Sequence, residues 1–512
     1  MGPDIQTSAA AFQSEDKTVF VPEAFIDEFI SPMRFKSPLS WMQRVKLRIV
    51  RRVLQWDVFS GVLLFSPHVI PSRWQILLNY LAKRQLIKSP IFTPLPFSND
   101  FPPVYTVMLH APSRIETVGE RQEEDAITGF GRAWRIEEAY GKAVGEVLER
   151  SMLYSYDRKK LVRGSFRDLS RRGSHAMNIS YLNGFLQDQK DRFSNYGANV
   201  DDPLMWIPGR ELISNRKALI PAQCALWGYR LAEGERFLNQ STTSGGAGGF
   251  TFEESAITGM MELVERDAFF MYWLLETPPP RIDLASFPAG SVAHRIHAEC
   301  AARGLEVYLL DTTGDLEIPS CVCVIIDERQ YPHLLALGGG AGFDIERMLS
   351  SAYIEAISIC NALVKKDPIQ LPENYTPFSG TPPIGKWERL QQWMGADTKL
   401  RAHFFLSGPS SPFLESRMHR YRRVFASVHA QYEYVLALFR SRGAGYEVYC
   451  HEATHAALKK IGYHVVKIVI PKLFPLYLRE RMATLDSLRL RETAARRGLK
   501  EVKINPRPHP YP

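Results

Sequence analysis

The sequence predicts an α/β fold with pseudo-duplicated halves, preceded by a small, mostly helical N-terminal domain. From about residue 111 onward, strand-like apolar runs alternate with helical patterns, as they do in α/β domains. The string E-x-x-E-R occurs twice, at Glu146–Arg150 and at Glu262–Arg266, each time after a glycine-bearing stretch. Prolines punctuate residues 1–110 instead, so we place a domain boundary there, giving domains 1–110 and 111–512.

Composition sets broad limits on function. The chain has 512 residues, of which 45% are apolar and 23% charged, as in globular proteins of two or more domains. A net charge of +8 is mild for this length, so it favours a small anionic ligand or an acidic partner and gives no argument for nucleic acid. No run of eighteen apolar residues predicts a membrane span, and the polar start of the chain is unlike a signal peptide. The six cysteines lack zinc-ligand spacing, so we expect a cytoplasmic protein with reduced thiols.

The N-terminal domain is expected to contain two helices. One spans Ser40–Trp56 and is rich in arginine and lysine; the other begins after Ser72 and is similar to a helix of winged-helix domains. The basic helix could contact a membrane surface, a partner or a peptide, although a solvated face packed on its own domain is the commoner explanation.

The larger domain is expected to alternate strands and helices. Cys321 and Cys323 alternate within one apolar strand, where both are expected in the core. Strands are predicted at 104–109, 306–310, 321–326, 447–449 and 464–470, and helices at 137–155, 253–275, 292–303, 344–365 and 411–440.

The second E-x-x-E-R string indicates buried acids. Glu262 and Glu265 share one helix face, and the helix around them is apolar on nearly every side. Buried acids require a positive partner, which is either an arginine such as Arg266 or a divalent cation such as Mg²⁺ carried by a nucleotide. Glu254 lies near the same stripe, whereas Glu253 and Asp267 are expected at the surface.

Glycine-rich segments precede the acid-bearing helices. The run 241–249, which contains Ser244, leads into the second glutamate helix and could present backbone N–H groups to an anion, or form a tight turn. In the first glutamate helix, Lys142 shares a face with Glu146 and could contact phosphate or pair with that acid. A third glycine segment, 338–342, precedes a helix that places Glu355 among apolar neighbours.

Two further motifs carry competing interpretations. The H-E-x-x-H string from His451 to His455 follows a strand, so it is expected in a strand-to-helix turn, where the spacing does not favour zinc. The end of the chain alternates proline over 506–512 and is expected to be extended, either disordered or inserted into a groove.

Together these segments resemble the YcaO superfamily over about residues 111–512. The resemblance rests on their order and spacing and on the doubled E-x-x-E-R. The matching segments are Gly-Arg-Ala at 131–133, AVGEVLER at 143–150, the Thr/Ser/Gly-rich run, FEESAITGMMELVERDAF at 252–269, the third glycine segment with Glu355, VVKIVIPKLFPLYL at 465–478 and the proline-alternating end.

The resemblance implies a YcaO-like fold and an enzyme that uses ATP and Mg²⁺ to activate peptide backbone amides. Members in peptide natural-product pathways, such as those of thiazole/oxazole-containing bacteriocins, are cyclodehydratases that form azolines from Cys, Ser or Thr of a ribosomal precursor peptide. In that mechanism a substrate side chain attacks the preceding carbonyl, and the oxygen leaves as phosphate. The implied metal-binding residues are Glu146, Glu149, Glu262, Glu265 and Glu355; the implied cofactor-binding set adds Arg132, Lys142, Arg150, Ser244, Glu254 and Arg266, and the candidate catalytic group lies in the C-terminal tail at Pro512.

The chain departs from the family pattern at several polar positions. The acids and the E-R pairs are kept, whereas several contacts to nucleotide differ. Arg132 stands for a lysine, Lys142 for a serine, Phe250 for an asparagine, Ser351 for an arginine and Ser358 for a glutamine.

The resemblance also implies partners: the precursor peptide, an E1-like, leader-peptide-binding protein as a separate chain, and a flavin-dependent azoline dehydrogenase as an optional further one, in a homodimer or hetero-complex. Three other functions stay open. They are thioamide or amidine formation on the same fold, a non-catalytic peptide-binding scaffold, and a zinc hydrolase at His451 and His455.

Overall fold

The computed structural model describes residues 91–95, 98, 100–110, 127–379 and 384–512. The two helices predicted at Ser40–Trp56 and after Ser72 lie outside these residues, and the domain boundary at residue 110 stays a prediction. Within the described ranges the chain is a mixed helix-and-sheet protein, as the alternating patterns predict.

The strands of the described ranges are short, between three and eight residues each. They are β1 Ile91–Leu95, β2 Tyr105–His110, β3 Thr128–Ala133, β4 Val162–Gly164, β5 Leu204–Glu211, β6 Arg216–Pro221, β7 Gly246–Gly249, β8 Arg281–Asp283, β9 Glu306–Asp311, β10 Ser320–Asp327, β11 Leu334–Ala341, β12 Ser410–Pro412, β13 Tyr449–Glu452 and β14 His464–Val469.

Within the described ranges, three helices are longer than eighteen residues, and each carries candidate site acids. The α-helices are α1 Ile136–Tyr154, α2 Phe166–Arg171, α3 Gln187–Arg192, α4 Ala222–Ala225, α5 Phe252–Trp273, α6 Val292–Ala301, α7 Ile345–Leu363, α8 Lys386–Gln391, α9 Thr398–Arg401, α10 His403–Leu406, α11 Arg417–Tyr421, α12 Val428–Ser441, α13 Ala456–Lys459 and α14 Leu488–Arg496.

The strands that the structure describes form three sheets. The first has the order β1-β2-β3 and is antiparallel throughout. The second has the order β11-β10-β9-β8-β12, and the third has the order β4-β5-β13-β14-β7 with β6 paired to β5. The described residues divide into two compact units: the first sheet and residues 103–151 belong to one, and residues 98–102 and 152–512 to the other.

Helix α5 is central to the second unit. It contacts β7 and β14 of one sheet and β10 and β11 of the other, which explains why it is apolar on nearly every side. Its C-terminal half, with Phe269, Phe270 and Trp273 fully buried, forms the core beneath the second sheet. Thr251 caps the helix by accepting a hydrogen bond from Glu254 N–H.

Most predicted elements are confirmed within a residue or two, and three differ. The helix predicted at 411–440 is wrong, because Ser416 and Ser427 each cap a new helix and divide the segment into α11 and α12. The strand predicted at 447–449 lies at Tyr449–Glu452. The glycine run before α5 is partly a strand, β7, rather than a turn alone.

All six cysteines are buried with reduced thiols, and Cys321 and Cys323 lie in the core as predicted. None of the helices in the described ranges combines the length and the apolar character that crossing a membrane requires.

Candidate functional site

The same strand-and-helix arrangement occurs three times in the described residues. In each case a glycine-bearing strand is followed by a helix, and a glutamate of that helix accepts a hydrogen bond from the backbone at the strand. Phe130 N–H donates to Glu146 in the first unit of the chain. In the second unit, Gly245 N–H donates to Glu262 over 3.2 Å, and Gly339 N–H donates to Glu355 over 3.2 Å. The duplication indicated by the two E-x-x-E-R strings therefore has a third member that lacks the string.

Glycine is required in these strands because the helices lie so close. A Cβ at Gly131 would lie 1.6 Å from the Ala139 carbonyl oxygen of α1. A Cβ at Gly338 would lie 2.3 Å from the Ala352 carbonyl oxygen of α7. Absence of side chains brings helix and strand backbones together, so a short glutamate side chain reaches the strand N–H.

Both E-x-x-E-R strings place their arginine against the first glutamate. Arg150 forms an ion pair with Glu146 and donates to the Thr128 carbonyl. Arg266 lies 3.6 Å from Glu262 and 2.9 Å from Glu265, measured between nitrogen and oxygen atoms. The arginine expected as the simpler partner of the buried acids is therefore confirmed for the second string.

In the second unit, three predicted site acids meet at Arg266. The side chains of Glu262, Glu265 and Glu355 all act electrostatically on this buried guanidinium. Burial by itself would lower the pKa of Arg266, but the neighbouring Tyr511 and the three glutamates raise it well above its usual range. One arginine neutralises one of three carboxylates, so the cluster retains a formal charge of about −2 when all three are ionised.

The excess negative charge affects the pKa of Glu265. Burial raises the pKa of Glu265, and the neighbouring Glu355 raises it further, against the opposing effect of Arg266. An acid held under these conditions gains stability from any added cation or from a proton.

The proline-alternating tail is inserted into a groove beside this cluster, which decides between the two interpretations left open. The tail is held by Trp393 Nε1, which donates to the Pro508 carbonyl over 3.1 Å, and residues 508–512 are buried. Tyr511 donates its hydroxyl proton to Glu265, and the Arg266 guanidinium lies 4.3 Å from the centre of the Tyr511 ring.

Gly339 makes room for this contact. A Cβ at residue 339 would lie 1.8 Å from Tyr511 Oη and 2.8 Å from Glu265 Oε1. The same glycine donates its N–H to Glu355, so one backbone position touches both the acids and the tail.

The donor set of the cluster suits Mg²⁺, which prefers carboxylate oxygens. With all three carboxylates ionised, the formal charge of about −2 around Arg266 matches the charge of a divalent cation. However, across the described residues no group of three or more His, Cys, Asp or Glu side chains has the arrangement of a metal site. Oxygens of Glu262 and Glu265 contact Gly245, Arg266 and Tyr511, so Mg²⁺ would replace some of these donors.

The first unit contains the remaining predicted metal-binding acids, Glu146 and Glu149, which are both half-buried on α1. Lys142 donates to the Arg132 carbonyl over 3.0 Å and is exposed. The Arg132 guanidinium lies 5.6 Å from the centre of the Phe130 ring, and its Nε is buried with no hydrogen-bond partner among the described residues. That these groups join the acids of the second unit in one cleft stays a prediction.

Ser244 lies in a buried turn organised by Lys467. The Lys467 ammonium donates to the Thr242 carbonyl over 2.7 Å and to the Ser244 carbonyl. Lys467 is 3% exposed and comes from β14, and its buried charge rigidifies the glycine-rich entry to α5. The sequence predicts the strand but not the role of this lysine. The feature that could have identified it is a single charged residue within an apolar run.

The other polar positions have plainer surroundings. Glu254 is exposed in the first turn of α5, and Ser351 is exposed on α7. Ser358 donates to the Ile354 carbonyl over 2.6 Å, and the Phe250 ring packs edge-on against Tyr463.

The prediction that Asp267 lies at the surface is wrong. It is 1% exposed and accepts hydrogen bonds from Arg489 and from Phe474 N–H. The apolar residues around Asp267 in the sequence indicate burial, but its partner Arg489 lies 222 residues away in sequence.

The H-E-x-x-H string does not form a helical zinc motif. His451 lies in strand β13 with Nδ1 3.0 Å from the Pro208 carbonyl oxygen, and His455 caps α13. His451 therefore lies in the strand itself rather than in the predicted strand-to-helix turn, and the two histidines belong to different elements.

Comparisons with known proteins bear on the family and the fold of the chain. The family model described as YcaO cyclodehydratase, ATP- and Mg²⁺-binding, matches residues 130–474. An uncharacterised protein of Methanothermobacter thermautotrophicus is 30% identical over 158 residues, which are 31% of this chain and 41% of that protein. This chain therefore spans less than half of the length of that relative.

Two solved structures share the fold. A heterocyclase in complex with substrate and cofactor is 20% identical with a TM-score of 0.64, over 84% of this chain and 57% of that one. YcaO from Methanopyrus kandleri, bound with AMPPCP and Mg²⁺, is 16% identical with a TM-score of 0.53, over 78% of this chain and 90% of that one. With the family model covering more than half of its residues, the chain belongs to the YcaO family, which binds ATP and Mg²⁺.

Proposed function

We propose that this protein is an ATP-dependent cyclodehydratase that forms azoline rings from Cys, Ser or Thr of a ribosomal precursor peptide. The observation that carries the proposal is the partly buried cluster of Glu262, Glu265 and Glu355 around one arginine. An excess of negative charge that is partly withdrawn from water destabilises the fold, so its presence beside a groove favours a site that receives a cation.

In this proposal Glu262, Glu265 and Glu355 hold Mg²⁺. That Glu146 and Glu149 of the first unit are also metal ligands, as the family resemblance implies, stays a prediction. Bound ATP with Mg²⁺ supplies the phosphoryl group that turns a backbone amide oxygen into a leaving group. The contribution of the chain itself is positioning and charge: Arg266 fixes the orientation of Glu262 and Glu265 before any ligand arrives. Arg132, Lys142, Arg150, Ser244 and Glu254 are the remaining candidate nucleotide contacts.

The tail is proposed to supply the general base. Pro512 is our candidate group, supported by the burial of the tail beside the acids and by the contact between Tyr511 and Glu265. Removing Pro512 alone tests the assignment: ring formation should be lost while ATP binding persists. Unchanged ring formation would reject it.

The central test replaces Glu262 or Glu265 with glutamine, which keeps size and removes charge. We expect ATP consumption with Mg²⁺ and precursor peptide to fall by about 100-fold or more, a scale typical of lost electrostatic stabilisation at an active site. Glu253→Gln is the matched control, since Glu253 is a half-exposed acid on the same helix. Near wild-type turnover in Glu265→Gln would refute the assignment.

Product mass separates the related chemistries. Cyclodehydration removes one water per ring, whereas exchange of the amide oxygen for sulfur raises the peptide mass. The proposal extends to a separate leader-peptide-binding partner and to an optional flavin-dependent dehydrogenase, and co-purification with the precursor peptide tests these assemblies.

A non-catalytic peptide-binding scaffold is the second candidate. It is favoured by the protein donors that already contact Glu262 and Glu265, and by Phe250 and Ser351 at positions where the family has polar contacts. Saturable binding of AMPPCP with Mg²⁺ would exclude a scaffold that does not bind nucleotide.

A further inference from the structure

A cavity lined partly by arginines lies on the opposite face of α5 from Glu262 and Glu265. Its volume is about 190 Å³, and Val264, Ala268 and Met271 form its apolar wall. These positions and those of the two glutamates point away from each other around the helix. The cavity is therefore separate from the acid cluster, and the proposed function does not use it.

Four arginines line the cavity: Arg417, Arg489, Arg496 and Arg497. Two aspartates, Asp267 and Asp315, also line it, so the lining has an excess of two positive charges. Hydroxyl groups of Thr312 and Thr493 add neutral hydrogen-bonding capacity to the lining.

The aspartates are already committed to one arginine. Arg489 donates to Asp267 over 2.6 Å and to Asp315 over 2.8 Å. Arg496 lies 3.0 Å from Asp315 and 3.7 Å from Glu492, so it has carboxylate partners as well. These pairs form a rigid and largely neutral floor.

Arg417 and Arg497 differ from the other two arginines. Arg417 donates to the Gly314 carbonyl over 2.8 Å. Arg497 donates to the Met271 carbonyl over 2.6 Å and to the Thr277 hydroxyl. These partners are all neutral, and in the described part of the chain the ion pairs of the cavity lining involve Arg489 and Arg496 and neither of these two guanidinium groups. Arg497 also lies 4.0 Å above the Tyr272 ring, which fixes its orientation.

The environment of Arg497 also favours an anion. Burial lowers the pKa of Arg497, and the charges of Arg489 and Arg496 lower it further, against the effects of Tyr272 and Asp315. A bound anion would offset this accumulation of positive charge.

We propose that this cavity binds a phosphate group, held by Arg417 and Arg497 with Arg496 at its rim. Guanidinium groups match tetrahedral oxyanions through paired N–H donors, and the cavity is large enough for one phosphate with ordered water. The phosphate has two chemical sources, free orthophosphate or a phosphate monoester on a larger molecule.

Titration of the full chain with orthophosphate and, separately, with phosphoserine tests the site. AMPPCP and Mg²⁺ are kept saturating, so that binding of phosphate at the nucleotide site does not contribute. We expect saturable binding that weakens by about tenfold or more in Arg417→Gln and in Arg497→Gln, the scale of a lost charge-assisted hydrogen bond. Tighter binding of phosphoserine than of orthophosphate would assign the site to monoesters.

Arg420→Gln is the matched control, because it removes the same charge from an exposed position of the same helix, α11. Arg417→Lys keeps the charge and loses the forked geometry, so it should bind with intermediate affinity and retain the fold. Affinity that is equal in wild type, Arg417→Lys and Arg497→Gln would overturn the proposal, whatever the outcome of the ATP assays.

Discussion

Arg489 contacts helix α5 and Arg266 belongs to it, and the surroundings of these two arginines differ. The difference distinguishes a contact that stabilises the fold from one that is suited to binding a ligand. Arg489 meets two aspartates and a tyrosine hydroxyl, and all five of its N–H donors have partners. Arg266 meets three glutamates, and its Nε is buried with no hydrogen-bond partner among the described residues. Every N–H donor of Arg489 therefore has an acceptor. Around Arg266, negative charge remains uncompensated and one N–H donor remains without an acceptor.

The acids reflect the same contrast. Burial alone would raise the pKa of Asp315, but its hydrogen bonds to Arg489 and the charge of that arginine lower it to about 2. The pKa of Glu265 is instead raised, because burial and Glu355 outweigh Arg266. A satisfied network stabilises the fold, and an unsatisfied one is costly unless a ligand completes it.

The largest expected effect is on stability at Arg489. Arg489→Met leaves Asp267 buried without its cation, so we expect the free energy of unfolding to fall by about 3–5 kcal/mol. Denaturant titration measures this, with Arg491→Met as the control, because Arg491 is exposed on the same helix. A loss equal to that of the control would mean that the Arg489 cluster does not differ in kind from the surface pairs.

The pH dependence of stability sharpens the contrast. Because the folded pKa of Asp315 is about 2, below its ordinary value, its contribution is present above about pH 4. It is lost as the pH falls from about 4 towards 2, and it amounts to about 2 kcal/mol. Unfolding measured at several pH values should show this loss in wild type and not in Asp315→Asn. Glu265 has the opposite sign, since a raised pKa means that its ionisation opposes folding as the pH rises.

The contrast also shows what sequence could provide. The meeting of Glu262, Glu265 and Arg266 is local, since spacing along one helix puts them together, and it was predictable. The surface assignment of Asp267 failed because no local pattern identifies Arg489 as its partner. A chain-end contact such as that of Tyr511 with Glu265, 246 residues apart, depends on how the sheets bring distant segments together.

The repeated glycine strands lie between these two cases. The glycines are visible in the sequence, where they predict either anion binding by backbone N–H groups or a tight turn. The structure adds a packing reason, because Gly131 and Gly338 admit the backbones of α1 and α7. Steric contacts between elements are not visible in periodicity, so the common role of Glu146, Glu262 and Glu355 emerged only in three dimensions.

The smallest expected effect tests whether the tail completes the Arg266 cluster. Tyr511→Phe removes one hydroxyl that donates to Glu265 and leaves the ring over Arg266. We expect turnover to fall by about tenfold, as for one hydrogen bond to a charged group, with little change in the free energy of unfolding. Gly339→Ala should lower turnover further, since its Cβ would lie 1.8 Å from Tyr511 Oη and displace the tail.

Steady-state ATP assays with precursor peptide measure both variants. The control is Tyr331→Phe, which removes a hydroxyl from a side chain that is 70% exposed. If Tyr511→Phe and the control keep equal turnover while Gly339→Ala loses it, the hydroxyl is dispensable and the tail acts through its position alone. If all three keep wild-type turnover, the tail contributes only packing. In that case a ligand compensates the excess negative charge around Arg266 and the tail plays no part in catalysis.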